Sequence, residues 1–328
     1  MNSKIRNKLD VLGLPVSIVV GIIGYPIFRH LHPFLAPTVF LLLFFTFLKV
    51  EPRKIRLQKW HFVALISQML LTFLAYYLTY NLLLLFVEQS TAHLIAMGAM
   101  FCFMVPTASS APVITAKLGG QIESLTTYTI LCNFVTSMVI PIFLPIIHPT
   151  LQVETGNLSL TLLWHVAPLL LGPLFLAWFL RLLAYLFHAQ PTYDKLVNKT
   201  ADFSFYIWMR NLVILMADVS YSMATYRYNL WLVALLVVLS FLASRTQFFV
   251  GRQIGLKFPE KDPQAKTYIA TSHALGQKNT SFGIWIVFSF LEPSATIVAI
   301  GVAVYIICQN LHNAKQIKDN IKNANQPA

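Results

Sequence analysis

Long apolar runs separated by short polar stretches dominate the sequence, and ten of them are long enough to cross a bilayer as helices of about 20 residues. The runs are continuously apolar, which favours helices over the alternating strands of a membrane barrel. The ten expected spans are 11–28, 31–48, 60–87, 89–116, 124–153, 155–180, 201–223, 228–244, 267–291 and 293–314. The pattern therefore predicts an all-α polytopic membrane protein without a sizeable soluble domain.

Composition supports this prediction. Apolar residues make up 57% of the 328 positions and charged residues only 11%, whereas soluble domains average about 25% charged residues. The three cysteines are an odd number in a long chain, so a disulfide-framed secreted module is excluded.

The basic residues indicate how the spans are oriented. With the N-terminus in the cytoplasm, eighteen of the 24 lysines and arginines fall in cytoplasmic segments, two in outer loops and four within spans. Both termini are therefore expected in the cytoplasm, in a plasma membrane or a bacterial inner membrane. The N-terminus is basic before its first apolar run but lacks a small-residue cleavage site, which favours a retained span over a signal peptide. The net charge of +12 suits anionic lipid headgroups and requires no nucleic acid.

Ten spans divide into five and five. Because five is odd, the second half enters the membrane from the opposite side, which is the topology of an inverted repeat and is common in secondary transporters. The two expected repeats are 1–157 and 158–328.

The fourth and ninth expected spans are interrupted at similar places. In the fourth, Pro106 and Pro112 lack backbone donors and flank small hydroxyl residues. In the ninth, the stretch 272–281 contains a glycine and seven polar or ionisable side chains. Non-helical backbone at such depth is tolerated where protein buries it or a wet cavity adjoins it, and paired breaks indicate a transport site.

These features resemble the bile acid:sodium symporter family. The resemblance rests on Gln68 in the third span, Thr-Ala-Ser-Ser at 107–110, Gly-Gln-Lys-Asn at 276–279 and the ten-span layout. It implies a core domain of spans 3–5 and 8–10, a panel domain of spans 1, 2, 6 and 7, and broken helices that cross within the core. It also implies alternating-access transport of bile-acid-like or small carboxylate anions, driven by sodium.

The resemblance also implies residue roles. Sodium ions are the only cofactor it suggests, and the partners are a small organic anion and the bilayer. The cation-site candidates are Gln68, Ser109, Ser110, Ser124, Thr127 (or Tyr128), His273 and Gln277, and the substrate-site candidates are Thr107, Lys278 and Asn279.

The sequence departs from the family at its sodium sites. His273 stands where the family has a glutamate that serves both sodium ions, and Lys278 where it has an asparagine, unless a one-residue shift aligns Asn279 there. Losing a carboxylate and gaining an ammonium both disfavour sodium binding. At about 4 Å and an effective dielectric constant near 20, each unit charge changes the interaction energy with a sodium ion by roughly 4 kcal/mol. One hypothesis is that Lys278 replaces a bound sodium. Proton-coupled and uncoupled transport are then alternatives.

The sequence also bears on three further charged residues and three other classes of protein. Asp218 is interpreted as a solvated helix end and Arg245 as a snorkelling side chain. Arg210 either faces the cleft between the domains, where it would attract a carboxylate, or snorkels or pairs with a panel neighbour. Zinc-protease and serine-nucleophile motifs are absent from the sequence, so an enzyme is a remote alternative. A sodium/proton antiporter on a related fold or an anion receptor remains an alternative.

Overall fold

The computed structural model describes residue 13 and residues 15–147, 155–200, 203–226, 228–259, 266–291 and 293–324. This part of the chain is helical apart from short connections and one isolated β-bridge. The helices are α1 (15–23), α2 (Tyr25–Phe28), α3 (Leu35–Phe47), α4 (Lys59–Leu83), α5 (Gln89–Met104), α6 (Ala111–Lys117), α7 (Ile122–Ile147), α8 (Thr155–Leu186), α9 (Gln190–Thr200), α10 (Phe203–Tyr226), α11 (Leu230–Lys257), α12 (Thr267–Gly276), α13 (Thr280–Phe290) and α14 (Ile297–Ala324). Single turns of 3₁₀ helix occupy Pro52–Lys54 and Pro293–Thr296, and a longer one occupies Arg29–Phe34.

Six stretches of the described chain are long and apolar enough to cross a membrane. They are Tyr25–Phe47, Lys59–Leu83, Ile122–Ile147, Leu158–Leu186, Leu230–Lys257 and Ile297–Asn320. Large apolar side chains such as Trp164 and Leu230 are exposed along them. So much exposed apolar surface suits contact with lipid and not with water. The predicted all-α membrane protein is confirmed.

The chain reverses its direction within the stretch Tyr25–Phe47. A Cβ atom at Gly21 would touch the backbone of Val213 on α10, and Thr38 donates a hydrogen bond to Asn211 on the same helix. A straight helix would separate positions 21 and 38 by about 25 Å, yet both lie against the same part of α10. The Arg29–Phe34 segment is therefore a turn between two helical arms, where the sequence predicts the boundary of the first two spans.

The fourth and ninth expected spans are each divided into two helices, α5 with α6 and α12 with α13. Helix α9 lies in the polar stretch between the expected sixth and seventh spans. The last helix continues ten residues beyond the expected end at 314, because its polar C-terminal part remains helical.

The helices pack in two groups. The panel group comprises α1–α3 and α8–α10, in which α3 packs on α8 and α10. The core group comprises α4–α7 and α11–α14, in which α4 packs on α5, and α11 packs on α12 and α14. Helix α7 packs along α8 and joins the groups, and a large apolar cluster shared by both fills the space between them.

Two glycines hold α12 close against α11. A Cβ atom at Gly251 would collide with the backbone oxygen of Thr271, and one at Gly255 would collide with the backbone of Tyr268. Small residues at this spacing let membrane helices approach closely. This contact fixes the first half of the broken ninth segment against a long continuous helix.

Candidate functional site

The two helix breaks cross each other inside the core group. Thr107, between α5 and α6, and Lys278, between α12 and α13, form an antiparallel β-bridge. The Ala108 N–H donates to the Gln277 oxygen at 2.9 Å, and the Asn279 N–H donates to the Pro106 oxygen at 2.8 Å. Each break therefore satisfies backbone groups of the other, which is what non-helical backbone at membrane depth requires.

Local sequence accounts for both breaks. Pro106 cannot donate to a helical turn, and Pro112 stands in the first turn of α6, where no backbone donor is needed. Asn279 caps α13 by accepting a hydrogen bond from the Phe282 N–H at 3.3 Å. Gly276 ends α12 with its backbone so close to the Phe248 ring that a Cβ atom would collide with it.

Lys278 places a buried amino group at this crossing. Its side chain is 1% exposed, and its Nζ has no hydrogen-bond partner among the described residues. The thiols of Cys132 and Cys102 are its electrostatic neighbours. Gln309 fixes its backbone, accepting from the Lys278 N–H at 2.8 Å and donating to its oxygen at 3.3 Å. An ammonium buried in this way is costly unless a counter-charge joins it.

Thr107 and Asn279, the other expected substrate-site residues, have structural hydrogen bonds. The Thr107 hydroxyl donates to the Ala274 oxygen near the end of α12 at 2.8 Å, and its side chain is fully buried. Asn279 uses its oxygen to cap α13. Both residues lie at the crossing beside Lys278, which leaves the lysine head group as the part of this trio without a partner in the described chain.

Gln68, Gln277 and His273 surround the crossing. Gln68 donates to the Val105 oxygen at 3.3 Å, at the end of α5, and accepts from the Tyr128 hydroxyl at 3.2 Å. Gln277 lies beside His273 and donates to Asn313 at 3.4 Å. These side chains connect the breaks to helices α4, α7 and α14.

Of the four remaining cation-site candidates, two lie on α7 and two lie in the break between α5 and α6. Ser124 donates to Gln58 at 2.7 Å near the start of α7, and Thr127 donates to the Glu123 oxygen of its own helix. Ser109 and Ser110 occupy the partly exposed turn before α6. Within the described chain, no hydrogen bond joins either of these serines to Ser124 or Thr127.

Sequence reasoning did not identify a polar face on α14 that supports the crossing. Tyr305, Gln309 and Asn313 recur every four residues, which places them on one side of the helix. The Tyr305 hydroxyl donates to the Gly276 oxygen at 2.8 Å. The i, i+4, i+8 spacing of three polar side chains in an apolar helix was the available signal.

A second buried ionisable side chain lies in the panel group, where Asp218 is 5% exposed. Nδ1 of His32 donates to its Oδ2 at 2.8 Å. The interpretation of Asp218 as a solvated helix end is wrong, because the Arg29–Phe34 turn folds over α10 and covers it. Arg210 lies with its guanidinium 5.6 Å from the Phe34 ring centre, so it packs within the panel group.

No family model matches this chain, and a search of curated proteins finds no match either. In the described ranges, no group of three histidine, cysteine or acidic side chains is arranged to hold a metal ion.

Proposed function

We propose that the protein is a secondary transporter of organic anions, with its substrate site at the crossing of the two broken helices. The observation that carries the proposal is Lys278, a buried ammonium with no hydrogen-bond partner among the described residues, held between the two breaks. Intramembrane charges are costly and mark substrate or ion pathways. The counter-charge of Lys278 is the transported anion.

The proposed topology is ten membrane spans in two inverted repeats, with both termini in the cytoplasm. The membrane is a plasma membrane or a bacterial inner membrane. Three observations support the topology. The turn at Arg29–Phe34 separates two helical arms, the breaks occur in the fourth and ninth segments, and the two breaks run antiparallel where they meet. Opposite orientation of the breaks is what two inverted repeats produce.

Transport follows from movement of the core group against the panel group. The crossing lies wholly between core helices, whereas the panel group contacts the core mainly through the packing of α8 on α7, with smaller contacts to α13 and α14. Rocking of one group against the other would expose Lys278 first to one side of the membrane and then to the other. The resemblance to the bile acid:sodium symporter family supports bile-acid-like or small carboxylate anions as substrates.

The proposed carrier is independent of sodium. Sodium needs several oxygen ligands, but the Gln68 oxygen already accepts from the Tyr128 hydroxyl, and His273 stands where the resemblance implies a sodium-binding carboxylate. The fixed ammonium of Lys278 at the crossing further repels a cation. In this arrangement the lysine supplies the charge that sodium would otherwise supply. A lysine that gains and loses its proton during the cycle would add proton coupling.

The test is ligand-dependent thermal stability of the detergent-purified full-length protein. Cholate, pyruvate and other carboxylates are compared in sodium chloride and in choline chloride at equal ionic strength, from pH 5.5 to 8.5 as roughly the range in which histidine titrates. We expect one class of carboxylate to stabilise the wild type equally in both salts, by about 2.7 kcal/mol at a hundredfold excess over its Kd.

The matched variants are Lys278→Met and Lys257→Gln, which each remove one lysine charge, the second from the exposed end of α11. Lys278→Met should lose the anion effect, and Lys257→Gln should keep it. Equal anion binding by Lys278→Met would remove the lysine from the site. Stabilisation that requires sodium would instead restore the sodium-driven mechanism, and a pH-dependent flux in liposomes would establish proton coupling.

A further inference from the structure

A groove on the outer face of the core group carries an arginine pair that the transport proposal does not use. The groove has a volume of about 530 Å³ and lies between α11, α12 and α14. Arg245 and Arg252 line it from α11, and His312 and Gln316 line it from α14. None of the described residues that line it belongs to the panel group, so the groove is separate from the space between the two groups.

The groove faces the lipid. Phe249, which lines it, is 62% exposed, and Leu242 and Leu256 on the same helix are also exposed. Helix α11 is one of the apolar helices long enough to span a membrane. Exposed aromatic and aliphatic side chains along such a helix are the surface that acyl chains cover.

Arg245 lies deep in this surface. It stands 12 residues before Lys257, the end of α11, which corresponds to about 18 Å along the helix. Its guanidinium lies 5.2 Å from the Phe241 ring centre, and its Nη1 is 3.4 Å from Nδ1 of His312. A guanidinium at that depth needs an anionic partner or a long reach to the headgroups.

Arg252 lies two turns nearer the helix end on the same face. Its guanidinium lies 5.9 Å from the ring centre of Tyr268, in the first turn of α12. Neither arginine forms an ion pair with a carboxylate in the part of the chain that the structure describes. Two guanidinium groups therefore face one groove that is apolar on its rim and contains no described acidic side chain.

We infer that this groove binds the headgroup of an anionic phospholipid in the leaflet that the Lys257 end of α11 faces. A phosphate accepts bidentate hydrogen bonds from arginine, and Arg245 and Arg252 present ten guanidinium N–H donors between them. The glycerol lies beside Phe249, between the two arginines, and the acyl chains lie against Leu242, which stands deeper along α11 than either arginine. The chemistry recognised is an anionic phosphate diester with attached acyl chains. A zwitterionic lipid has the phosphate and the acyl chains but no net charge. Inorganic phosphate has the charge but no acyl chains.

The experiment measures the thermal stability of the full-length protein in neutral detergent with added phosphatidylglycerol, phosphatidylcholine of identical acyl chains, or inorganic phosphate. The wild type should be stabilised by phosphatidylglycerol and not by the other two. In Arg245→Gln/Arg252→Gln the apparent affinity for phosphatidylglycerol should fall roughly 30-fold, since each arginine beside an anionic headgroup contributes about 1 kcal/mol.

The control is Lys257→Gln/Lys318→Gln, which removes two exposed charges at the same end of the molecule but outside the groove. It should retain most of the lipid effect. Equal losses in the two double variants would reduce the effect to general charge and overturn the proposal. If inorganic phosphate alone raised the thermal stability, the ligand would be a free anion and the lipid proposal would be wrong.

Native mass spectrometry gives a second readout that does not depend on unfolding. A bound phosphatidylglycerol should survive on the wild type and on the control variant and be lost from the arginine variant. If the arginine variant does not fold, the single variants Arg245→Gln and Arg252→Gln are measured in its place. A dimer that dissociates when the arginines are replaced would show that a second copy of the chain covers the groove, and the lipid proposal would be wrong.

Discussion

Two buried charges in this molecule are treated in opposite ways. Asp218 in the panel group is paired, with His32 at 2.8 Å across a separation of 186 residues. Lys278 in the core group is equally buried, yet its Nζ has no hydrogen-bond partner in the described chain. A charge that serves the fold is normally paired, because an unpaired one costs several kcal/mol. The proposed anion site at Lys278 rests on this contrast.

The backbone around the two charges shows the same contrast. Asp218 lies on an unbroken helix, α10, and its partner comes from a turn that folds over that helix. Lys278 lies between two short helices, and its own backbone is bonded to Gln309. The protein has therefore fixed the lysine backbone and left its head group without a partner, an arrangement that suits a ligand which comes and goes.

The largest expected change in stability comes from breaking the contact between His32 and Asp218. His32→Ala leaves the Asp218 carboxylate buried and alone, and it should lower the free energy of unfolding by about 3 kcal/mol. The measurement is the midpoint of thermal unfolding in detergent. Adding Asp218→Asn in the same chain should recover much of the loss, because the remaining side chain is then neutral.

His30→Ala is the matched control, since His30 stands two residues away in the same turn and is exposed. Its midpoint should stay close to that of the wild type. If His30→Ala and His32→Ala behaved alike, the turn itself and not the ion pair would carry the stability.

The opposite change in the free energy of unfolding is expected when Lys278 is replaced. Lys278→Met keeps the length of the side chain and removes the buried charge, so in the absence of any anion it should raise the free energy of unfolding by about 2 kcal/mol. A clear loss of stability in this variant would mean that the ammonium has a structural partner. The comparison between the two charges would then fail.

The positions of the breaks could be predicted from the sequence, because their causes are local. Pro106, Gly276 and the polar stretch 272–281 each act on the backbone beside them. The division of the first two spans could be predicted for the same reason, since Arg29 interrupts an apolar run. The boundary of the last helix was less accurate, because polar residues beyond 314 do not end a helix.

The partners across long separations could not be predicted. Thr107 and Lys278 are far apart in the chain, and only the fold shows that they bridge. Asp218 looked like a solvated helix end because nothing near it in the sequence indicates that His32 covers it. The expected cation-site residues Ser124 and Thr127 come from a resemblance, and in the structure their hydroxyls donate to Gln58 and to the Glu123 oxygen near the start of α7.

The smallest expected change in stability tests whether neutral hydrogen bonds hold the crossing together, since the Lys278 head group has no partner in the described chain. Thr107→Val removes the bond from the hydroxyl to the Ala274 oxygen, which joins the two broken segments, and should cost about 1 kcal/mol. Thr129→Val is the matched control, because Thr129 is just as buried but bonds only to the Leu125 oxygen of its own helix. That oxygen already accepts a helical N–H, so the control should change the thermal midpoint little. Equal midpoints in the two variants would show that the backbone bridge alone holds the crossing and that Thr107 is available to a ligand.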